Sequence, residues 1–336
     1  MEEWIEVTPA SFDFYGVNEK FMRMPEDAAR AVSDGVASLN HNAAGGRARF
    51  STDAKAITLR AQMNSCNPVF GYDLYRKEGD GEIFQIGFRN PAGVICQGEF
   101  LSSTYTLDGK AHVYTLNFPL FGTVGKIELK LEGATFLGRG EHYINEKPVV
   151  FYGSSITQGA MATRPGMTYE AQLSQRFNLN YYNLGFSGMA RGEEAMARYI
   201  AGLDMAAFVL DYDHNSYDFA EFDARHEPFF RLIRESHPDL PILMLTRPDY
   251  FTAPENNDRR DAVVKRTYDH AVAAGDGKVR FIPGRTLFSG DFYHACTRDG
   301  CHPNDLGFYR MAQKIAPVLA EMLSLPCPGP HDEVTY

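Results

Sequence analysis

The stretch Val149–Gly159, with the sequence VVFYGSSITQG, joins an uncharged, strand-like run to a cluster of glycine and small hydroxyl residues. In α/β enzymes the parallel strands end at one edge of the sheet, and ligands bind at that edge. A glycine allows a sharp turn after such a strand, and a serine there presents its hydroxyl to the crevice. The stretch fits neither the Gly-x-Ser-x-Gly elbow nor the Gly-Lys-Ser/Thr ending of a phosphate-binding loop. It predicts a nucleophilic serine at the edge of an α/β sheet, although such clusters also occur in ordinary turns.

A serine nucleophile needs a base, and the segment Asp299–Asp305 (DGCHPND) contains one. Asp299 precedes His302 by three residues, so its carboxylate can accept the Nδ1 proton and leave Nε2 free to accept from a serine hydroxyl. The same spacing recurs in two other pairs, Asp223/His226 and Asp291/His294. The first pair lies in an amphipathic stretch that is predicted to be helical, where contacts at this spacing are common on the surface. The second pair lies in an aromatic loop and stays open as a rival.

Two intermediate segments supply hydrogen-bond donors for an oxyanion. Asn183–Gly188 (NLGFSG) follows an aromatic strand-like run, and Asp211–Asn215 (DYDHN) follows an apolar one. Each is therefore predicted to be a turn at the end of a strand. A glycine N–H and an asparagine amide, together with the N–H of the nucleophile, are the donors that an oxyanion hole requires.

Together, the four segments resemble the SGNH, or GDSL-type, hydrolase superfamily over about residues 148–325. The catalytic residues that the resemblance implies are Ser155 as nucleophile, His302 as base and Asp299 as the partner of His302. The oxyanion hole that it implies consists of the N–H groups of Ser155 and Gly188 and the amide of Asn215. It further implies a flavodoxin-like, three-layer α/β/α domain with a parallel sheet. The sequence GSSITQGAMATRPGMTY is especially similar to the subgroup that carries a β-sandwich domain before the catalytic domain.

The chain departs from the superfamily pattern in two of these segments. Gly-Ser-Ser stands where Gly-Asp-Ser is usual, so Ser154 neighbours the nucleophile that the family register selects. In the third segment, Asp-x-Asp-His-Asn replaces Gly-x-Asn-Asp. The cluster of Asp211, Asp213 and His214 is predicted to hold the Asn215 loop by hydrogen bonds.

The activity that the resemblance implies is that of a serine esterase. It would cleave short-chain esters, in particular acetyl esters, of a carbohydrate or small metabolite, without a cofactor or a metal. An acyltransferase of the same fold and a non-catalytic carbohydrate-binding protein stay open as alternatives. Arg164, in the loop after the nucleophile, and His214 are candidate substrate-binding residues. A solvated loop charge and a buried, hydrogen-bonded histidine are equally compatible with the sequence.

The chain changes character near residue 145. Before it, apolar and polar residues alternate with the period of half-buried antiparallel strands. Two sets of residues are each predicted to share one face of a strand: Ile57, Leu59, Ala61 and Met63, and Phe84, Ile86 and Phe88. After it, apolar runs at 148–152, 180–184, 206–212, 241–246 and 278–282 alternate with helical stretches at 168–178, 191–202, 221–236, 257–274 and 305–323. We therefore predict an all-β jelly-roll or sandwich domain at residues 1–145 and an α/β hydrolase domain at residues 146–336.

The composition is that of an ordinary globular protein, with 336 residues, 44% hydrophobic and 23% charged residues, and a net charge of −10. The negative charge argues against a nucleic-acid partner, and no apolar run of about 18 residues predicts a membrane span. The N-terminal sequence lacks the basic and apolar regions of a signal peptide, and five scattered cysteines are typical of reduced thiols, so we expect a cytoplasmic protein. Cys296 and Cys301 are close enough in sequence to meet, and the chain has no CxxC pair to predict a metal site. A homo-oligomer stays open.

Overall fold

A computed structural model describes residues 3–66, 71–79, 81–91, 98–216 and 218–326. Strands of the first part are β1 (Ile5–Glu6), β2 (Asp13–Tyr15), β3 (Arg47–Thr52), β4 (Ala56–Cys66), β5 (Asp73–Glu78), β6 (Gly81–Gly87), β7 (Gly98–Leu101), β8 (Tyr105–Thr106), β9 (His112–Asn117), β10 (Gly122–Glu132) and β11 (Leu137–Arg139). Strands of the second part are β12 (Asn145–Gly153), β13 (Leu179–Gly185), β14 (Ala207–Asp211), β15 (Ile242–Leu245) and β16 (Val279–Ile282). The α-helices are α1 (Glu26–Val32), α2 (Asp34–Leu39), α3 (Ser155–Gln158), α4 (Tyr169–Phe177), α5 (Glu194–Ala201), α6 (Phe219–Ser236), α7 (Pro254–Ala273) and α8 (Asp305–Leu323).

The first part is a sandwich of two antiparallel sheets, as predicted. One sheet has the strand order β1-β10-β4-β7, with β8 paired to β4, and the other has the order β11-β3-β9-β5-β6, with β2 paired to β3. The alternating residues Ile57, Leu59, Ala61 and Met63 all lie in one buried core together with residues of β3, β9 and β10. The period of two therefore identified the inward face of β4 correctly.

The prediction for β6 was wrong at one residue. Ile86 and Phe88 lie in the sandwich core, but the side chain of Phe84 is outside it and 43% of its surface is exposed. The register between β5 and β6 shifts at this point, so that Leu74 pairs with Ile86 and Tyr75 with Phe84. A β-bulge inserts one extra residue and thereby reverses which face the following side chains occupy.

The second part is built on a parallel sheet with the strand order β13-β12-β14-β15-β16. This is the flavodoxin-like order, in which the second strand (β13) lies on one side of the first (β12) and the later strands lie on the other side. The crevice at this reversal lies at the carboxyl ends of β12 and β14. All five predicted strands and all five predicted helices are present, each within three residues of its predicted bounds.

Side chains of the parallel sheet alternate between two buried layers. Val149 and Phe151 of β12 face a core that includes residues of α4 and α8. Val150 and Tyr152 face the opposite core, which includes residues of α5, α6 and α7. Helices therefore cover both faces, and the three-layer α/β/α prediction is confirmed.

Helices α1 and α2 were not predicted, and they pack on the α/β part of the molecule. Ala29 of α1 and Val36 of α2 are fully buried in the same core as Met196 and Ile200 of α5. The hydroxyl of Ser33 accepts a hydrogen bond from the N–H of Val36 at 3.1 Å and caps α2. The segment between β2 and β3 thus ties the two parts of the chain together, while the boundary near residue 145 stays a prediction.

Cys296 and Cys301 are free thiols, so the predicted approach of the two does not form a disulfide. The Cys66 side chain, Cys96 and Cys327 lie outside the described residues. In the described part of the chain, every helix is too short or too polar to cross a membrane.

Candidate active site

The strand β12 passes into α3 within the sequence VVFYGSSITQG of residues 149–159. Gly153 ends the strand, and a Cβ at this position would lie 1.9 Å from Thr157 Oγ1, so only glycine fits there. Ser154 is the N-cap of α3, because its buried hydroxyl accepts a hydrogen bond from Ile156 N at 3.1 Å. Ser155 is the first helical residue, and its side chain is directed elsewhere. The two adjacent serines therefore have different partners.

Ser155, His302 and Asp299 form a continuous hydrogen-bonded chain. The Ser155 hydroxyl lies 2.9 Å from His302 Nε2, and His302 Nδ1 lies 2.7 Å from Asp299 Oδ2. A carboxylate accepts only, so Nδ1 carries the proton and Nε2 can accept from the serine. The residues come from β12–α3 and from the loop before α8, which meet at the carboxyl edge of the sheet.

The loop that carries Asp299 and His302 is fixed by its own backbone. Asp299 Oδ1 accepts hydrogen bonds from the N–H groups of His302 at 2.7 Å and Cys301 at 3.0 Å. Partial burial favours the neutral form of Asp299, but hydrogen bonds from His302 and from both backbone groups outweigh it and lower its pKa to about 2. Asp299 is therefore ionised at neutral pH, as a partner of an imidazolium must be.

Neither rival Asp/His pair forms such a chain. His226 is buried in α6 and pairs with Thr267 Oγ1 at 2.8 Å, while Asp223 pairs with Arg266. Asp291 and His294 are exposed, and the His294 ring lies 5.9 Å from the ring of Phe292 and 5.7 Å from that of Tyr293. The structure thus brings one of the three predicted pairs to Ser155.

Phe186 connects the candidate oxyanion residues to the nucleophile. Its N–H donates to Gly153 O at 2.9 Å, and its carbonyl accepts from Asn215 Nδ2 at 3.0 Å. Gly188, two residues further on, has a φ of +72°, which favours glycine. The three segments that carry Ser155, Gly188 and Asn215 are therefore linked through one buried residue.

The carboxylates of the Asp211–Asn215 segment reach beyond their own loop. Asp211 Oδ2 accepts from Thr157 Oγ1 at 3.1 Å and from Tyr169 OH at 2.9 Å, so it supports α3 directly. Burial, and then the charge of Asp213, raise the pKa of Asp211 to about 8. Asp213 Oδ2 accepts the N–H of Arg247 at 3.1 Å. The cluster therefore joins the loops after β14 and β15 to the helix of the nucleophile.

His214 lies beside the hydrogen-bonded chain, as a substrate-contacting residue would. Its ring centroid is 6.4 Å from that of His302, and its Nε2 is 3.1 Å from Cys301 Sγ. Burial, and then the charge of Arg247, lower the pKa of His214 to about 3, so it is neutral. A role for His214 in substrate binding stays a prediction.

Among the described residues, two overlapping groups of side chains have the composition of a metal site. They are His214, Asp249 and Cys301, and Asp299, Cys301 and His302, with ligand atoms within 4.8 Å of one another in each group. In the first group, Arg247 pairs with both oxygens of Asp249 at 2.7 and 2.5 Å. An ion at this group would have to displace this guanidinium.

Arg164, the other candidate for substrate binding, lies against the sandwich. Its Nε is 3.5 Å from the buried carboxylate of Asp73, and its guanidinium lies 3.9 Å from the ring centre of Phe84. Asp73 also accepts the N–H of Gly166 at 2.8 Å. The loop after α3 is therefore held by β5 and β6, and a contact of Arg164 with substrate stays a prediction.

The segment Gly71–Tyr75 (GYDLY), which makes these contacts, was not among the residues predicted from sequence patterns. Asp73 is fully buried, and burial raises its pKa to about 7 despite hydrogen bonds from Asn117 and Gly166. Tyr75 packs on Gly166 so closely that a Cβ there would lie 2.3 Å from the tyrosine ring. The available signal was an aspartate inside a strand whose neighbours on both faces are aromatic or apolar, because such a carboxylate needs a partner.

Comparison with known proteins places both parts of the chain. Residues 146–320 match the model of the GDSL-like lipase/acylhydrolase family, and residues 4–135 match the GxDLY model, described as the N-terminus of SGNH-hydro-type esterases. The GYDLY segment carries the residues of that name. A search of curated proteins gives no match.

Among solved structures, a protein of Bacteroides ovatus described as a GDSL-like lipase is 28% identical, with a TM-score of 0.85 over 97% of this chain and 100% of its own. A salicylyl-acyltransferase from a tetracycline biosynthetic pathway is 19% identical, with a TM-score of 0.74 over 97% of this chain and 99% of its own. An acetyl xylan esterase from the rumen bacterium Butyrivibrio proteoclasticus is 14% identical, with a TM-score of 0.59 over 96% and 98%. The last two share the fold. Since the first family model spans more than half of the sequence, the chain belongs to the GDSL-like lipase/acylhydrolase family.

Proposed function

We propose that the protein is a serine esterase that removes short-chain acyl groups, in particular acetyl, from a carbohydrate or a small metabolite. The observation that carries this proposal is the hydrogen-bonded chain from Ser155 through His302 to Asp299. Membership of an acylhydrolase family supports ester chemistry at this position. The sequence predicted the same three residues.

In the proposed mechanism, Ser155 Oγ attacks the ester carbonyl carbon while its proton passes to His302 Nε2. The resulting imidazolium remains hydrogen-bonded to the Asp299 carboxylate. Collapse of the tetrahedral intermediate expels the alcohol, which takes the proton from His302 and leaves the acyl group on Ser155. A water molecule then attacks the acyl carbon while His302 takes its proton; the bond to Ser155 Oγ breaks, Oγ takes that proton back from His302, and the carboxylic acid is released.

The oxyanion of each tetrahedral intermediate needs donors that are already in place. We assign this role to the N–H groups of Ser155 and Gly188 and to the side-chain amide of Asn215. An asparagine amide has two N–H groups. Donation of one of them to Phe186 O at 3.0 Å fixes the orientation of the other.

The substrate class is supported by the relatives. A fold neighbour over nearly the whole chain is an acetyl xylan esterase. The net charge of −10 favours a neutral ester over a polyanionic substrate. An acetylated neutral sugar satisfies both conditions.

A screen of p-nitrophenyl esters by acyl length, followed by acetylated sugars, tests the proposal. We expect the highest kcat/KM for acetyl among the aryl esters and release of acetate from an acetylated sugar. Ser155→Ala is the control, and it should abolish both. Turnover that prefers long acyl chains, or that persists in Ser155→Ala, would contradict the proposal.

An acyltransferase is the second candidate, because the fold neighbour with the TM-score of 0.74 is a salicylyl-acyltransferase. The same acyl-enzyme would then be attacked by an alcohol instead of water. Product analysis with a competing alcohol separates the two, since an acyltransferase forms the new ester in preference to the free acid. A non-catalytic carbohydrate-binding protein is disfavoured, since it has no use for the hydrogen-bonded chain at Ser155.

A further inference from the structure

Arg23 is a buried cation that extends from the segment between β2 and α1 into the α/β part of the molecule. Only 1% of its surface is exposed. One terminal nitrogen, Nη1, donates to the carbonyl of Gly185 at the end of β13, and Nη2 donates to Leu39 O at 2.6 Å. The guanidinium carbon lies 4.2 Å from the ring centre of Phe186.

The Gly185–Phe186 peptide, which Arg23 contacts, begins the loop that carries Gly188. Phe186 is the residue whose N–H binds Gly153 O and whose carbonyl binds the Asn215 amide. Gly185 is equally constrained, because a Cβ there would lie 2.2 Å from Gln158 N in α3. A movement of Gly185 or Phe186 would therefore displace the proposed oxyanion donors relative to Ser155.

Arg23 is itself held rigidly. Its N–H donates to Asn40 O at 3.3 Å, and the next residue, Met24, exchanges two hydrogen bonds with the Asn40 side chain at 2.8 and 2.9 Å. A buried guanidinium is costly to desolvate, and an apolar side chain of similar volume would fill the space at lower cost. What arginine adds is directed donation to two carbonyls and contact with an aromatic face.

We propose that Arg23 is a positioning residue for the oxyanion hole, supplied by the segment between β2 and α1 and not by the α/β domain itself. It holds the Gly185–Phe186 peptide, and through Phe186 it fixes Gly188 and Asn215. This inference rests on the proposed function. It goes beyond it by assigning part of the catalytic geometry to the N-terminal region of the chain.

Arg47 of β3 offers a matched control, because it contacts the other end of β13, the strand that ends at Gly185. It too is 1% exposed and crosses between the two parts of the chain, donating to Asn180 Oδ1 at 2.9 Å and Tyr181 O at 3.2 Å. These contacts lie at the amino end of β13, away from the candidate site. Loss of Arg47 should therefore weaken the junction of the two parts without moving the oxyanion donors.

The test compares Arg23→Met, Arg23→Lys and Arg47→Met by steady-state kinetics on a p-nitrophenyl ester and by thermal unfolding. We expect Arg23→Met to lower kcat by about 10- to 100-fold with KM nearly unchanged, because small displacements of catalytic groups have effects of this size. Arg47→Met should lower the melting temperature to a similar extent and keep kcat. In a further variant, Arg23→Ala, added guanidinium ion at millimolar concentration should partly restore kcat.

Coupling to Asn215 gives a readout that a merely structural role would not move. If Arg23 acts in part through Asn215, Arg23→Met combined with Asn215→Ala should lower kcat by less than the product of the two single losses. Multiplicative losses in the double variant would overturn the inference. So would wild-type kcat in Arg23→Lys, which keeps the charge but has a single donor nitrogen in place of the planar fork, and which serves if Arg23→Met does not fold.

Labelling of Ser155 by a fluorophosphonate separates this inference from the proposed function, because the probe needs an activated serine but no particular ester. Slow labelling of Arg23→Met beside fast labelling of the wild type supports the inference. Equal labelling rates refute it while leaving the proposed function intact. A wild type that is not labelled overturns the proposed function and the inference together.

Discussion

Substitution of each of the two adjacent serines by alanine separates catalysis from helix capping. Ser155→Ala removes the hydroxyl that contacts His302 and leaves the cap of α3 in place. We expect kcat on p-nitrophenyl acetate to fall by about 10³ or more, roughly 4 kcal/mol in transition-state stabilisation, because the covalent route is lost. The melting temperature should change little, since Ser155 is not the residue that satisfies the first N–H groups of the helix.

Ser154→Ala should have the opposite profile. It leaves the N–H of Ile156 without its 3.1 Å acceptor in a position where Ser154 is only 1% exposed. Loss of an N-cap costs about 0.5–2 kcal/mol, and burial places this site toward the upper end. A fall of a few degrees in melting temperature, measured by circular dichroism, should accompany retention of most of kcat. If instead Ser154→Ala were inactive and Ser155→Ala active, the nucleophile would have been assigned to the wrong serine.

The remaining predictions concern the base, the oxyanion hole, a buried carboxyl group and the N-terminal region. His302→Ala should lower kcat about as much as loss of the nucleophile, by about 10³, whereas His294→Ala should be mild; equal losses would move the base to the aromatic loop. Asn215→Ala should lower kcat by about 10²–10³ with a much smaller change in KM, and a change in KM alone would show ground-state binding instead. Burial raises the pKa of Asp73 to about 7, so the stability that this group contributes is present below about pH 4 and is lost, by about 4 kcal/mol, as the pH rises through 7. Asp73→Asn should remove that part of the pH dependence in chemical denaturation, and an unchanged pH profile would refute the burial argument. Residues 146–336 expressed alone should be poorly soluble or nearly inactive on acetylated sugars, and a soluble, fully active fragment would exclude a role for the rest of the chain.

The parallel sheet could be predicted from sequence because its strands are buried on both faces. Runs such as 206–210 are then apolar throughout, and the helices between them are long enough to show their own period. The candidate active site was accessible for a related reason. Ser155 and Asn215 follow neighbouring parallel strands, whose carboxyl ends converge, whereas the His302 loop was grouped with them by the resemblance to the SGNH hydrolases.

What sequence patterns missed depends on contacts between distant segments. The bulge that turns Phe84 away from the core leaves no mark on the alternation of its own strand, since it is defined by pairing with β5. The burial of Arg23 could not be predicted from the sequence either, because an arginine in a loop is most often solvated. Only the fold brings it against Phe186.

The burial of α1 and α2 has a consequence for synthesis on the ribosome. Ala29 and Val36 share a core with Met196 and Ile200, so these early helices have no docking surface until much of the α/β sheet has emerged. At about 5–20 residues per second, the intervening chain takes on the order of 10–30 s to be made. The antiparallel strands that follow α2 in the chain can meanwhile pair with one another. The apolar faces of α1 and α2 therefore stay accessible to chaperones during that interval. Of the described helices these two are translated first, and they stay uncovered until α5 has emerged.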